Sequence, residues 1–235
     1  MITGGLASDK SKREIIMSDL LDCIYQNDNI HDEVKETIKE EIVHGIMVSN
    51  LSYMLAKELK ETDSFCRDIG VAGMLHDIGK LKLNRYLYVN NADTLVIEQL
   101  KYVRMHPTFS YNILKREHYP ENIVQAVYYH HENYDGTGYP EKLRGNKIPK
   151  EARILRVCDV FSALISKRPY RDAFDEKSAL EMMIDEASNY DMEIFLAFLR
   201  LLHSEKYVGA EVLRSQVTPL QTEVIPVFEK ESSYV

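Results

Sequence analysis

The sequence predicts an all-α fold, on three observations. Apolar residues recur every three or four positions in one stretch after another, which is helical spacing. Prolines stand where helices would begin, at Pro107 and Pro120. Only the last thirty residues lean towards β-strand, with Val208, Val212, Leu213, Val217, Val224, Ile225, Val227 and Phe228. A chain of 235 residues can bury a substantial core. The expected organisation is a lead-in and amphipathic helix over 1–31, a main domain over 32–205, and a small extended or partly disordered appendage over 206–235.

Residues 1–8 read as a lead-in, and Ile15, Ile16, Leu20, Leu21 and Ile24 give a helix over 9–26 with one greasy edge. Asn27-Asp28-Asn29 is turn chemistry, and Asp32 is an N-cap candidate for a long helix running to Leu59. Its inward residues are Ile38, Ile42, Ile46, Met47, Leu51, Met54, Leu55 and Leu59. Glu40 and His44 share a face four residues apart, a spacing that suits two ligands of one metal and equally a solvated face.

The next apolar run (Ile69, Val71, Ala72, Met74, Leu75, Ile78) carries His76-Asp77 at its end. A buried carboxylate is costly unless paired or coordinated. Gly79 is expected to break this helix and leave Lys80 at its edge. A polar loop over 81–91 and a short helix over 94–104 follow. Pro107 then opens a helix through Phe109, Ile113 and Leu114, with His106 at its mouth, ordered yet accessible. A helix over 121–131 ends in His130-His131, whose side chains point about 100° apart. Gly136 and Gly138 can take positive φ in the shaped loop that continues to Pro140.

Ile154, Leu155, Val157, Val160, Phe161, Ala163 and Leu164 define a helix over 150–166, and Asp159 in its middle again asks for a cation. Arg168-Pro169-Tyr170-Arg171 closes it; arginines there also suit a helix C-terminus. Two more amphipathic helices, over 175–188 and 192–202, complete the domain.

Composition narrows the function. A net charge of −8 and a pI near 5.5 argue against general binding to a nucleic-acid polymer. No run approaches the ~18 apolar residues of a membrane span. Cys23, Cys66 and Cys158 form neither a disulfide framework nor a zinc ribbon, so a reducing cytoplasm is the expected compartment.

Glu40, His44, His76, Asp77, His106, His130, His131 and Asp159 use five of the protein's 8 histidines and outnumber the ligands of one ion. Two ions side by side stabilise both the attacking and leaving oxygens in phosphoester hydrolysis. The chain carries no P-loop, GxSxG or Gly-rich dinucleotide turn.

The stretches Leu75 to Lys80, His106-Pro107, His130 to Pro140, Ala152 to Leu155 with Asp159, and Arg168 to Arg171 resemble the HD-GYP domain family, a subgroup of the HD metal-dependent phosphohydrolases. The similarity covers roughly 36–202. It implies an HD-type helical bundle that hydrolyses a cyclic dinucleotide, most commonly cyclic di-GMP to pGpG or GMP, by a metal-bridging hydroxide. It implies that His44, His76, Asp77, His106, His130, His131 and Asp159 are metal ligands, with Glu40 the extra carboxylate of three-metal members. Asp77 and Lys80 would be catalytic, and Lys80, Tyr139, Arg168 and Arg171 would contact substrate. Two or three divalent ions, iron or manganese, are the implied cofactors. A second copy through the N-terminal helix, or a signalling protein at the Gly-Tyr-Pro loop, is a candidate partner. Three departures stand out: a shortened segment after Lys80, Ser110 where the family has glycine, and Ser162 where it has aspartate. Other readings are an HD phosphohydrolase acting on other nucleotides, or a non-catalytic module that binds a dinucleotide or a partner.

Overall fold

The computed structural model describes residues 32–80, 103–167 and 171–215. Among these the architecture is all-helical. The elements in chain order are α1 (Asp32–Glu58), α2 (Asp63–Leu75), α3 (His106–Arg116), α4 (Glu121–Tyr129), α5 (Lys150–Leu164), α6 (Glu176–Asp185), α7 (Met192–Leu202) and α8 (Ala210–Ser215). The expected helices over 9–26 and 94–104, the loop over 81–91 and the segment 216–235 lie outside the described residues, as does Arg168, apart from the end of the second helix at 103–104.

Helix ends follow local chemistry. Thr62 Oγ1 accepts from the Phe65 amide to cap α2, Asp175 accepts from the Ser178 amide to cap α6, and Asp191 accepts from the Glu193 and Ile194 amides to cap α7. Pro120 and Pro149 precede α4 and α5, where a missing N–H costs nothing.

One core unites the bundle. Met47, Leu51 and Leu55 of α1 are fully buried with Ile69 and Ala72 of α2, Val124 and Val127 of α4, Leu155 and Phe161 of α5, and Phe198 of α7. Phe161 and Phe198 meet edge to face at 5.2 Å. The approach of α1 to α2 sets up the site. A Cβ on Gly73 would lie 2.9 Å from the backbone of Ser49, so only glycine lets the two helices come this close. His44 on α1 is thereby brought beside His76, just past the end of α2.

The appendage departs from its expected extended form at its start. Residues 210–215 are helical, and Leu213 is buried, with its carbonyl accepting from Asn50 Nδ2 of α1 at 2.9 Å. A β-leaning composition yields here to a docking site on an existing helix. Cys66 and Cys158 are buried free thiols. No described helix is long and apolar enough to cross a membrane.

Candidate metal centre

Five separate segments deliver the side chains. His44 comes from α1, His76-Asp77 from the turn after α2, His106 from the first residue of α3, His130-His131 from the end of α4, and Asp159 from the middle of α5. His44, His76, His106, His130 and Asp159 are buried. Helix α4 ends at Tyr129, so His130 and His131 stand on a turn, where the angle between them is not the helical one. His106 was expected to be accessible; it is 1% exposed, because α3 packs its N-terminus onto the His-Asp turn.

The turn itself corrects a second expectation. Helix α2 stops at Leu75, His76 and Asp77 form a turn, and helical structure resumes at 78–80. Gly79 therefore does not break the helix. It permits an approach, since a Cβ there would lie 2.3 Å from the His106 carbonyl oxygen and 2.6 Å from the Ser110 nitrogen. Ser110 fills the junction: its hydroxyl donates to the His76 carbonyl at 2.9 Å and accepts from the Gly79 amide at 2.9 Å. A hydroxyl at this position is the signal that a reading of local periodicity passes over.

The imidazole tautomers follow from their outer partners. His76 Nδ1 lies 2.8 Å from the Gly73 carbonyl, His106 Nδ1 2.6 Å from that of Val103, and His130 Nδ1 2.6 Å from that of Val127. A carbonyl oxygen only accepts, so each Nδ1 carries a proton, and wherever the ring is neutral Nε2 turns a lone pair inward. His106 Nε2 then lies 3.2 Å from His130 Nε2 and 3.1 Å from His131 Nε2. The lone pairs of His106 and His130 converging at 3.2 Å repel unless they share an electrophile.

Asp77 joins two halves of the cluster. Its Oδ2 is 3.1 Å from His76 Nε2 and 3.9 Å from His44 Nε2, while its Oδ1 is 3.1 Å from His106 Nε2. Asp159 Oδ1 is 3.1 Å from His44 Nε2 and 3.5 Å from His76 Nε2. Ligand atoms draw within 4.8 Å of one another in three sets: His44, His76 and Asp77; His76, His130 and Asp159; His106, His130 and His131. His76 Nε2 and Asp77 Oδ1 are buried without a well-formed hydrogen bond. Imidazole and carboxylate donors in this arrangement could hold divalent metal ions.

Electrostatics agree. Burial opposes charge on His76, but Asp77 and Asp159 outweigh it and push the imidazole up to about 10. Burial likewise opposes charge on Asp77, yet His76, Lys80 and His106 hold its carboxyl well below the usual range. Asp159 is held low by His44 and His76 against the same burial. Burial and the neighbouring His76 and His106 press His130 down to about 3, so it stays neutral and able to ligate. A proton and a metal ion compete for His76 Nε2. Apparent metal affinity should therefore rise with pH up to about 10, by as much as about tenfold per pH unit. Titration calorimetry in buffers of different ionisation enthalpy checks this; affinity flat between pH 6 and 9 would contradict it.

The remaining predicted residues divide. Lys80 Nζ is 2.5 Å from Asp77 Oδ2 and 3.5 Å from Glu41 Oε2, beside the cluster. Glu40 is exposed and belongs to none of the three ligand sets, whereas Glu41, not singled out from the sequence, faces Lys80. Tyr139 stacks on His131, ring centres 4.8 Å apart at 25°, and its amide donates to the His131 carbonyl at 3.1 Å. Arg171 lies elsewhere: its terminal nitrogens donate to the carbonyls of Ala163, Leu164 and Asp172, which makes it a cap for the end of α5. The loop from His131 to Leu143 is tied down by buried Glu132, which accepts from the amides of Glu141 and Leu143. Gly136 has φ 88°, but Gly138 is not in that region; it is required because a Cβ would strike the Asn133 nitrogen at 2.2 Å.

Comparisons with known proteins find relatives of the chain. The family model described as HD domain matches residues 14–194. The chain is 33% identical over 159 residues to the cyclic di-GMP phosphodiesterase PA4108 of Pseudomonas aeruginosa, a match covering 67% of this chain and 38% of that protein. It is 30% identical over 179 residues to the 3′3′-cGAMP-specific phosphodiesterase 1 of Vibrio cholerae, covering 73% and 40%. The chain thus spans less than half the length of these relatives. In fold it resembles Bd1817, an HDG"Y"P protein from Bdellovibrio bacteriovorus, with a TM-score of 0.58 and 22% identity over 84% of this chain and 62% of that one.

Proposed function

The chain belongs to the HD domain family, and from that premise we propose that it is a metal-dependent phosphodiesterase that opens a cyclic dinucleotide, cyclic di-GMP to pGpG or GMP. The observation that carries the reading is the convergence of the inward-facing Nε2 atoms of His106, His130 and His131 at 3.1–3.2 Å, with both oxygens of Asp77 engaged by histidines of the two halves. That donor set fits two ions: His44, His76, Asp77 and Asp159 for one, and His106, His130, His131 and Asp77 for the other. Glu40, one helical turn before His44 and exposed, is left for a third. Nitrogen and oxygen donors without thiolate favour iron or manganese over zinc.

Bound there, divalent ions would supply Lewis acidity to a phosphoryl oxygen and lower the pKa of a water molecule. The chain's own residues do the rest. Asp77 holds the two halves in one arrangement. Burial opposes charge on Lys80, but Asp77 and Glu41 outweigh it and keep the ammonium charged. It therefore offers fixed positive charge where negative charge grows on the phosphoryl oxygens and the departing 3′ oxygen. Tyr139 fixes the His131 ring by stacking. The choice of cyclic di-GMP over cyclic GMP-AMP leans on the relatives' names, which include both.

Metal analysis of protein purified without oxygen, combined with chromatographic assay against cyclic di-GMP, cyclic GMP-AMP and pGpG, tests the proposal. Metal-loaded protein should linearise at least one cyclic dinucleotide, and chelation should stop it. Loaded protein that leaves both cyclic substrates intact would reject the reading.

A further inference from the structure

We infer that Arg104, over the Tyr139 ring, and Arg156, tied to Asn133 of the same loop, form a second phosphate subsite that receives the phosphodiester of the cyclic dinucleotide not being cleaved. The inference rests on the cyclic-dinucleotide reading above and deepens it. Such a substrate carries two phosphates closed in one ring, so while one faces the metal ligands the other is held nearby. A chain of net charge −8 must meet that second charge with cations of its own.

The described cations around the cluster sort by what already engages them. Lys80 is ion-paired with Asp77, and Arg153 with Asp191. Arg171, the cation suggested by its motif, has committed its terminal nitrogens to the end of α5 and lies over the Phe174 ring at 4.5 Å. Withdrawing it would uncap a helix. Two guanidinium groups differ from these.

Arg156 is on α5, one turn before Asp159, and half-buried. Its Nε donates to Asn133 Oδ1 at 3.0 Å, which fixes the side chain against the loop. Among the described residues its terminal nitrogens have no acceptor and no carboxylate pairs with it. The guanidinium is thus joined to the loop that carries Tyr139 through Asn133, and to the metal-ligand cluster through the helix that carries Asp159. Arg104 is exposed on the segment leading into α3, its guanidinium carbon 5.4 Å from the centre of the Tyr139 ring. It too has no carboxylate partner among the described residues. A cation–π contact leaves all its N–H donors free for an anion. The planar donor fork of arginine suits phosphate oxygens. Since Tyr139 also stacks on His131 at 4.8 Å, the tyrosine ring links Arg104 to the metal-ligand cluster, while Arg156 stands one helical turn before Asp159.

Arg104→Gln, Arg156→Gln and the double variant, each in the full chain and loaded with the metal found in the wild type, test this. KM for the cyclic dinucleotide should rise on the order of tenfold in each single variant and further in the double. KM for bis(p-nitrophenyl) phosphate, which has a single phosphate, should move much less. Arg156→Lys should recover part of the loss, because charge survives while the fork does not. Metal content and melting temperature should stay at wild-type values. An unchanged dinucleotide KM, or equal rises for both substrates, would overturn the subsite while leaving the phosphodiesterase reading intact. Metal loss in the variants would make the arginines structural and overturn it likewise. A metal-loaded wild type that linearises no cyclic dinucleotide would overturn both.

Discussion

Asp77→Ala is expected to lower metal-dependent hydrolysis by at least about a thousandfold and to strip metal from the protein, with the helical circular dichroism retained. No other described residue turns a separate oxygen to each half of the cluster: Oδ2 lies 3.1 Å from His76 Nε2 and Oδ1 3.1 Å from His106 Nε2. Alanine also removes the nearer of the two carboxylates that hold Lys80, leaving Glu41 at 3.5 Å to position the charge. The fold should survive because Asp77 sits on a turn between helices, outside the apolar core that joins α1, α2, α4, α5 and α7. Metal analysis, circular dichroism and turnover, read together, decide the matter. Wild-type metal content in this variant would refute the bridging role, whatever happened to the rate.

Gly79→Ala should produce the second large effect, this time on stability. The added methyl would lie 2.3 Å from the His106 carbonyl oxygen, 2.6 Å from the Ser110 nitrogen and 2.8 Å from Ser110 Oγ. Two of those atoms are backbone and cannot swing aside, so the start of α3 must retreat from the His-Asp turn. That retreat breaks both hydrogen bonds of the Ser110 hydroxyl and carries His106 away from its partners. A loss of about 3 kcal/mol or more is expected, at the upper end of overpacking costs. Urea denaturation of chelator-treated protein measures it without any contribution from metal. Ser110→Ala separates the two effects: it removes the hydroxyl without the clash and should cost only about 1–2 kcal/mol. A Gly79→Ala midpoint equal to that of the wild type would mean that the two segments are not in tight contact.

Helix existence was legible from residue spacing, because burial of one face imposes its period on the sequence wherever a helix packs against a core. The long helix over 32–59 matches α1 (Asp32–Glu58), and 192–202 matches α7 (Met192–Leu202). The buried Asp159 amid Ile154, Leu155 and Val157 was likewise readable, since a carboxylate in an apolar stripe demands a cation. Boundaries at the site were less so. The turn at His76-Asp77, the end of α4 before His130 and the burial of His106 depend on neighbours distant in the chain. The arginine of the closing motif shows the same limit: Arg171 is chemically suited to phosphate, yet two carbonyls at the end of α5 and that of Asp172 hold it.

By itself, then, the sequence determined the helical class and the family and put forward the histidines and carboxylates as candidates, because periodicity and side-chain chemistry are local properties. Only the tertiary structure decided which imidazoles meet, that Gly79 permits contact where a break was expected, and that Arg104 lies over Tyr139 while Arg156 is tied to Asn133. Each of those outcomes is settled by an atom from another segment: the His130 or His131 ring against His106, the Ser110 hydroxyl, the Tyr139 ring or the Asn133 amide. Even the carbonyls only three residues from their histidines matter through tertiary packing, since the three Nε2 atoms meet only when α3 and α4 come together.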